Sequence, residues 1–251
     1  MDQLTGFTHE YDGERLSGVR TQAAHGTDRT HGTDGPAAVL LHGAGTGNER
    51  RLRPLLAEFT AHGCPALAFD FSGHGESTGV LAELSLRRRF RQATAVIDAQ
   101  VEPERPLILV GFSMSGQTVA DLVRHYGDRA SAIGLCSPAV YTRESWDVPF
   151  GDGTRRFTEL IRTPDSWRAA PALEALRSYT GRSVLAVPGT DAVIPPQVTE
   201  AVQDALRSRS RYTRFDLPDA QHRLGLWFRD HPDDWREFVT LLLARHTAEH
   251  G

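Results

Sequence analysis

The sequence predicts an α/β protein built on a mostly parallel sheet. Three observations carry that prediction. Short apolar runs alternate with longer amphipathic ones along most of the chain. The apolar runs have strand length, and the amphipathic stretches are long enough for helices. The 251 residues suit a single domain with a sizeable core, with room for a small insertion.

In chain order, residues 7–23 read as an N-terminal hairpin turned at Asp12-Gly13. Residues 24–36 hold the near-duplicated stretch HGTDRTHGTDG and read as a loop. Its His25 and His31 make a poor metal site, because a loose loop does not preorganise ligands. Then follow strand 37–41, helix 49–62, strand 66–70, helix 86–100, strand 107–111, helix 115–126 and strand 132–136. Residues 139–180 break the rhythm with arginines, aromatics and scattered proline and glycine. They read as a lid inserted within a single domain spanning 1–251. The rhythm resumes with strand 183–187, helix 196–206, strand 213–217 and helix 231–248.

Composition narrows the function. The net charge of -4 gives no electrostatic support for a nucleic-acid surface. The opening MDQLTGFTHEYDGER has no apolar stretch behind basic residues, so no signal peptide is expected. Runs such as 37–41 are far too short to span a bilayer, and a cytoplasmic location is expected. All 28 basic residues other than histidine are arginines, a bias that a GC-rich genome explains. Lysine Schiff-base and lysine general-base chemistry are therefore excluded, apart from the N-terminal amine. The two cysteines, Cys64 and Cys136, have no metal-site spacing and read as buried free thiols.

The chemistry centres on LVGFSMSGQTV at 109–119, an apolar strand that turns through Gly-x-Ser into a helix. That is the layout of a nucleophile elbow, whose pattern is Gly-x-Ser-x-Gly. Two serines compete. Ser113 has Gly111 two residues before it, whereas Ser115 has a serine before and Gln117 after. Only Ser113 fits the register. Ser115 then occupies a glycine's place, and Gly116 takes over close helix packing. A serine nucleophile needs a base, an acid that orients the base, and an oxyanion hole. Asp191 follows a strand in a Gly-bounded turn, and His222 follows the last strand. Asp147 and Asp152 are alternative acids, but they sit in the irregular block and follow no strand end. AAVLLHGAGTG ends a strand in a glycine-rich turn that can aim a backbone N–H at the site. Met114, directly after Ser113, offers a second N–H.

With HGAG at 42–45, DFSGHGES at 70–77, GFSMSG at 111–116, PGTDAVIPP at 188–196 and AQHRLG at 220–225, the chain resembles serine hydrolases of the α/β-hydrolase fold. It is most similar to the monoacylglycerol lipase-like and serine aminopeptidase group. The resemblance implies Ser113 as nucleophile, Asp191 as acid and His222 as base, with Ala44 and Met114 giving the oxyanion N–H groups. It also implies no cofactor and no metal. The chain departs from the family's pattern at Ser115 and at Gln221, both usually glycine.

Other residues have quieter readings. His42 reads as a holder of the oxyanion loop, and Asp70 and His74 as braces of a neighbouring turn. Arg87-Arg88-Arg89-Phe90-Arg91 reads as one solvated helix face, with docking of an acidic partner such as an acyl carrier protein as the alternative. Trp146, Phe150, Phe157 and Trp167 either line an acyl pocket or pack the lid. The expected activity is hydrolysis of a small-molecule acyl ester through an acyl-enzyme. Thioesterase or acyltransferase activity, and a non-hydrolytic ligand-binding protein on the same fold, are the alternatives.

Overall fold

The computed structural model describes residues 4–22, 35–151 and 153–244. His25, His31 and Asp152 lie outside the described residues. One eight-stranded sheet runs through the molecule: β1 (Thr5–Tyr11), β2 (Glu14–Arg20), β3 (Ala37–Leu41), β4 (Ala66–Phe69), β5 (Leu107–Phe112), β6 (Ala130–Cys136), β7 (Arg182–Thr190) and β8 (Arg211–Gln221). Its spatial order is β1-β2-β4-β3-β5-β6-β7-β8. The β1–β2 hairpin is antiparallel, and β2 joins β4 antiparallel; every later pairing is parallel. Asp12 and Gly13 both take positive φ in the hairpin turn, as the sequence predicts.

The helices are α1 (Arg53–Ala61), α2 (Leu86–Gln100), α3 (Ser115–Tyr126), α4 (Arg156–Arg162), α5 (Pro171–Ser178), α6 (Pro196–Arg207), α7 (Leu224–Asp230) and α8 (Pro232–Leu243). They cover the sheet on both faces, and its central strands are buried on both. Side chains alternate between two cores. Val39, Leu41 and Leu109 point to one face, with α2, α3, α5 and α6. Ala38, Leu40, Ile108 and Val110 point to the other, with α1, α7 and α8.

Predicted and observed elements differ in several places, and β8 is longer than the predicted 213–217. The predicted helix 49–62 begins as a 3-10 turn, Glu49–Leu52, and becomes α-helical at Arg53, with Pro54 in its first turn. The predicted helix 231–248 is α8, whose described part ends at Leu243. Helix α7, ahead of it, has no counterpart among the predicted elements; Leu224 and Phe228, one helical turn apart, are its buried side chains. Within 139–180, α5 packs between α3 and α6 and buries Ala172, Leu173, Ala175 and Leu176.

The order of the strands locates the functional end. From β3 the chain steps to one side to form β4, then crosses to the other side of β3 to form β5. At such a switch the loops leaving the two strands diverge and open a crevice at their carboxyl ends. The loop after β3 begins at His42, and the turn after β5 carries Ser113.

Candidate active site

Ser113 stands between β5 and α3 with φ 50°, a left-handed backbone that few non-glycine residues adopt. Three hydrogen bonds hold it there. Its N–H donates to the Cys136 carbonyl at 2.9 Å. Its carbonyl accepts from Gly116 at 2.8 Å and from Ala139 at 2.9 Å. The flanking glycines are steric necessities. A Cβ on Gly111 would lie 2.5 Å from the Ser115 carbonyl oxygen, and one on Gly116 would lie 2.6 Å from the Pro138 side chain. Gly116 therefore packs against the loop after β6 rather than against another helix.

Asp191 follows β7, and His222 follows β8. The three side chains meet in one line. His222 Nε2 lies 3.0 Å from Ser113 Oγ, and His222 Nδ1 lies 2.9 Å from Asp191 Oδ2. Asp191 Oδ1 accepts the backbone N–H groups of Val193 at 2.8 Å and Ile194 at 2.9 Å. Burial pushes the Asp191 carboxyl upward. The His222 bond and the two backbone N–H groups outweigh it, and the net shift is downward. Asp191 is thus an anion at neutral pH. It accepts from Nδ1–H, which leaves Nε2 as the acceptor that faces Ser113. Of the other candidate acids, Asp147 instead pairs with Arg87 at 2.5 Å.

The loop after β3 is fixed by His42. Its Nε2 accepts the Phe71 N–H at 3.2 Å, so Nδ1 carries the proton and donates to the Gly43 carbonyl at 2.6 Å. Burial, with the positive Arg89 nearby and His74 next to it, holds the imidazole well below its ordinary range. It is neutral at pH 7. The Gly43 carbonyl being held on the His42 side, the N–H of the same trans peptide, on Ala44, points the opposite way. Gly43 abuts the elbow: a Cβ there would lie 3.1 Å from the Cβ of Ser113. The N–H groups of Ala44 and Met114 have no acceptor among the described residues. The N-terminus of α3, with its partial positive charge, begins two residues after Ser113. Asp70 braces the turn beneath, accepting from the N–H groups of Glu49 at 2.7 Å and Glu76 at 3.1 Å.

Residues 36–169 match the family described as serine aminopeptidase, S33, over more than half of the chain. The chain belongs to that family. Its fold is the α/β-hydrolase fold. The S33-type chain is 30% identical over 122 residues, 47% of its length, to a multifunctional-autoprocessing repeats-in-toxin protein of Vibrio vulnificus. It spans only 2% of that toxin. Its fold is similar to a thioesterase domain from the curacin biosynthetic pathway (TM-score 0.71, 14% identity, 97% of this chain and 100% of that one). It is also similar to Est1E of Butyrivibrio proteoclasticus with ferulic acid bound (TM-score 0.66, 16% identity, 95% and 100%).

The aromatic candidates of this S33-type chain divide. Phe157 packs with Met114, Leu86 and Val148 in a small apolar cluster, and Trp146 and Phe150 lie against it. Trp167 packs against the large core instead. Trp146 is also a strut, because its Nε1–H donates to buried Asp121 at 3.1 Å. A cavity of about 600 Å³ opens at the opposite end of the sheet, lined by Arg124, Glu174, Tyr179 and Arg211 among others. None of Ser113, Asp191 and His222 lines it.

The arginine run is not one solvated face. Arg88 pairs with Asp12 at 2.7 Å and Glu14 at 2.9 Å, tying α2 to the hairpin. Arg89 is fully buried. Its spacing gave the signal: Leu86, Arg89, Ala93 and Val96 lie on one helical face, all buried. Ser115 is not merely a small side chain either. Its Oγ donates to the His42 carbonyl at 2.6 Å and accepts from Arg89 Nη2 at 2.8 Å. The serine at that position hid both partners, which are 73 and 26 residues away in sequence. Among the described residues no group of His, Cys, Asp and Glu is placed to hold a metal ion, and no helix is long and apolar enough to cross a membrane.

Proposed function

We propose that the chain is a carboxylic ester hydrolase that works through an acyl-enzyme on Ser113. The single observation that carries this reading is the unbroken line Asp191–His222–Ser113, assembled from the ends of three strands. His222 Nε2 takes the Ser113 proton as Oγ bonds to the ester carbonyl carbon. The carbonyl oxygen, now negative, is held by the Ala44 and Met114 N–H groups at the positive end of α3. Collapse breaks the ester bond, and His222 returns the proton to the departing alcohol. Water, deprotonated by the same nitrogen, then releases the acid. Asp191 holds the ring's tautomer and stabilises its charged form.

Met114, next to Ser113, belongs to the apolar cluster with Leu86, Val148 and Phe157, which supports an apolar acyl chain. We read 139–170 as the lid over that cluster, within a single domain, and α5 as part of the body. The two free thiols fit a cytoplasmic location. A thioester substrate is the second reading, favoured by the likeness to the curacin thioesterase domain. The mechanism is tested by fluorophosphonate labelling followed by peptide mass spectrometry. One adduct, on Ser113, is expected; an adduct on Ser115 or Ser137, or none, sinks the proposal. A chain-length series of nitrophenyl esters against acyl thioesters then separates the two substrate classes.

A further inference from the structure

Arg89 is an anomaly of the core. It is 0% exposed and has no carboxylate within ion-pair distance among the described residues. Its guanidinium lies 3.7 Å from the centre of the Phe71 ring. Nη2 donates to the His42 carbonyl at 2.7 Å and to Ser115 Oγ at 2.8 Å, and Ser115 Oγ donates to the same carbonyl. Nε and Nη1 have no partner among the described residues. Burial brings the guanidinium down to about 9, which leaves it charged at neutral pH. A buried charge without a counter-ion is costly. A neutral side chain would fill the same space without that cost, so filling space does not account for an arginine here.

The position of the junction suggests what the charge does. The three groups belong to three separate segments: α2, the loop after β3, and the first residue of α3. The held carbonyl is His42, two residues before Ala44; the held hydroxyl is Ser115, the residue after Met114. The triangle therefore clamps together the two segments that bear both free N–H groups. In a site of low dielectric a fixed positive charge behind those groups favours negative charge in front of them.

Resting on the reading of Ser113 as nucleophile, we propose that Arg89 and Ser115 form a positioning pair for the oxyanion: they lock the Ala44 and Met114 segments to each other and place a permanent positive charge behind them. Neither side chain touches the substrate. Their effect appears when the carbonyl oxygen becomes negative, so it falls on kcat rather than on KM.

The test compares the parent with Arg89→Gln, Arg89→Lys, Ser115→Gly and the double variant Arg89→Gln/Ser115→Gly. Each is measured as kcat and KM per fluorophosphonate-titrated site on one nitrophenyl ester, beside its melting temperature. Arg89→Gln is expected to lower kcat by roughly ten- to a hundredfold, part of the cost of losing an oxyanion donor, with KM within about threefold. Arg89→Lys recovers part of the rate, because it restores the charge without the fork. Ser115→Gly, which creates no clash, lowers kcat by about tenfold. The double variant is no slower than Arg89→Gln, because the two residues act through one junction. Parental kcat per site in Ser115→Gly and in either folded Arg89 variant overturns the proposal. So does a loss that appears only in melting temperature or in the number of titrated sites. A parent that takes no label on Ser113 overturns the reading beneath it as well, and the two failures are thereby told apart.

Discussion

Two serines at the ends of neighbouring strands share a backbone and differ in chemistry. Ser113 follows β5 with φ 50°, and Ser137 follows β6 with φ 46°. Each donates its N–H to the strand beyond it, Ser113 to Cys136 at 2.9 Å and Ser137 to Ala186 at 3.1 Å. Each carries the cost of a left-handed backbone, on the order of 1–3 kcal/mol. Ser113 Oγ meets His222 and reaches the crevice. Ser137 Oγ is buried and has no partner among the described residues. A helix begins just after Ser113, whereas Pro138 follows Ser137 and no helix starts there. A strained turn at a strand end is thus not enough. The hydroxyl also needs a base in reach and a helix terminus behind it.

The comparison breaks most easily at Ser113. Ser113→Ala is expected to lower turnover on the order of 10⁶-fold if the three residues act as a unit, as in subtilisin. Steady-state rates on a short nitrophenyl ester measure this, and activity retained within tenfold would move the nucleophile elsewhere. Asp191→Asn comes next. It keeps the shape but favours the wrong tautomer of His222, and a loss of about 10³–10⁴ in kcat is expected. A loss under tenfold would mean that Asp191 serves the turn through Val193 and Ile194 rather than the base.

A smaller effect concerns the histidines that brace the site. His42 and His74 are buried, and burial is the main cause that holds both below their ordinary value. The unfolded chain takes up these protons below a pH of about 6.5, while the folded chain stays neutral. Their contribution to stability is therefore complete above that pH and falls as pH drops toward the folded values. The slope is at most about 1.4 kcal/mol per pH unit for each group. Buried Asp70 and Asp121, both pushed up mainly by desolvation, act in the opposite sense nearer the acid end. Urea midpoints between pH 7.5 and 5 should fall; a flat profile would show that these rings are protonated in the folded protein. The smallest effect belongs to Ser137. Ser137→Ala removes a hydroxyl that has no partner among the described residues and should leave kcat unchanged, with stability within about 1 kcal/mol. A clear loss of rate would show that the two turns are coupled through Ala139.

Much of the frame was legible in the chain itself. The bounds predicted for α2 and α3, 86–100 and 115–126, are those observed, because each pairs an apolar face with clear ends. Cys64 and Cys136 are free, as expected: Cys64 precedes β4, Cys136 ends β6, and β3 and β5 lie between those strands. Ser113, Asp191 and His222 could be picked out as candidates because each follows a strand, and parallel strands deliver their carboxyl ends to one edge of the sheet, where the three side chains meet. That edge is a consequence of chain order, and chain order is written in the sequence. Which way a polar side chain turns is not. Arg89 looked like one charge among several, and Ser115 like a stand-in for glycine. Only packing α2, α3 and the loop after β3 together brought Arg89, Ser115 and the His42 carbonyl within 3 Å of one another. The reason is physical. Apolar periodicity is a local property of a segment, so one segment suffices to read it. A buried hydrogen bond between segments depends on distances that exist only after the hydrophobic layers have closed.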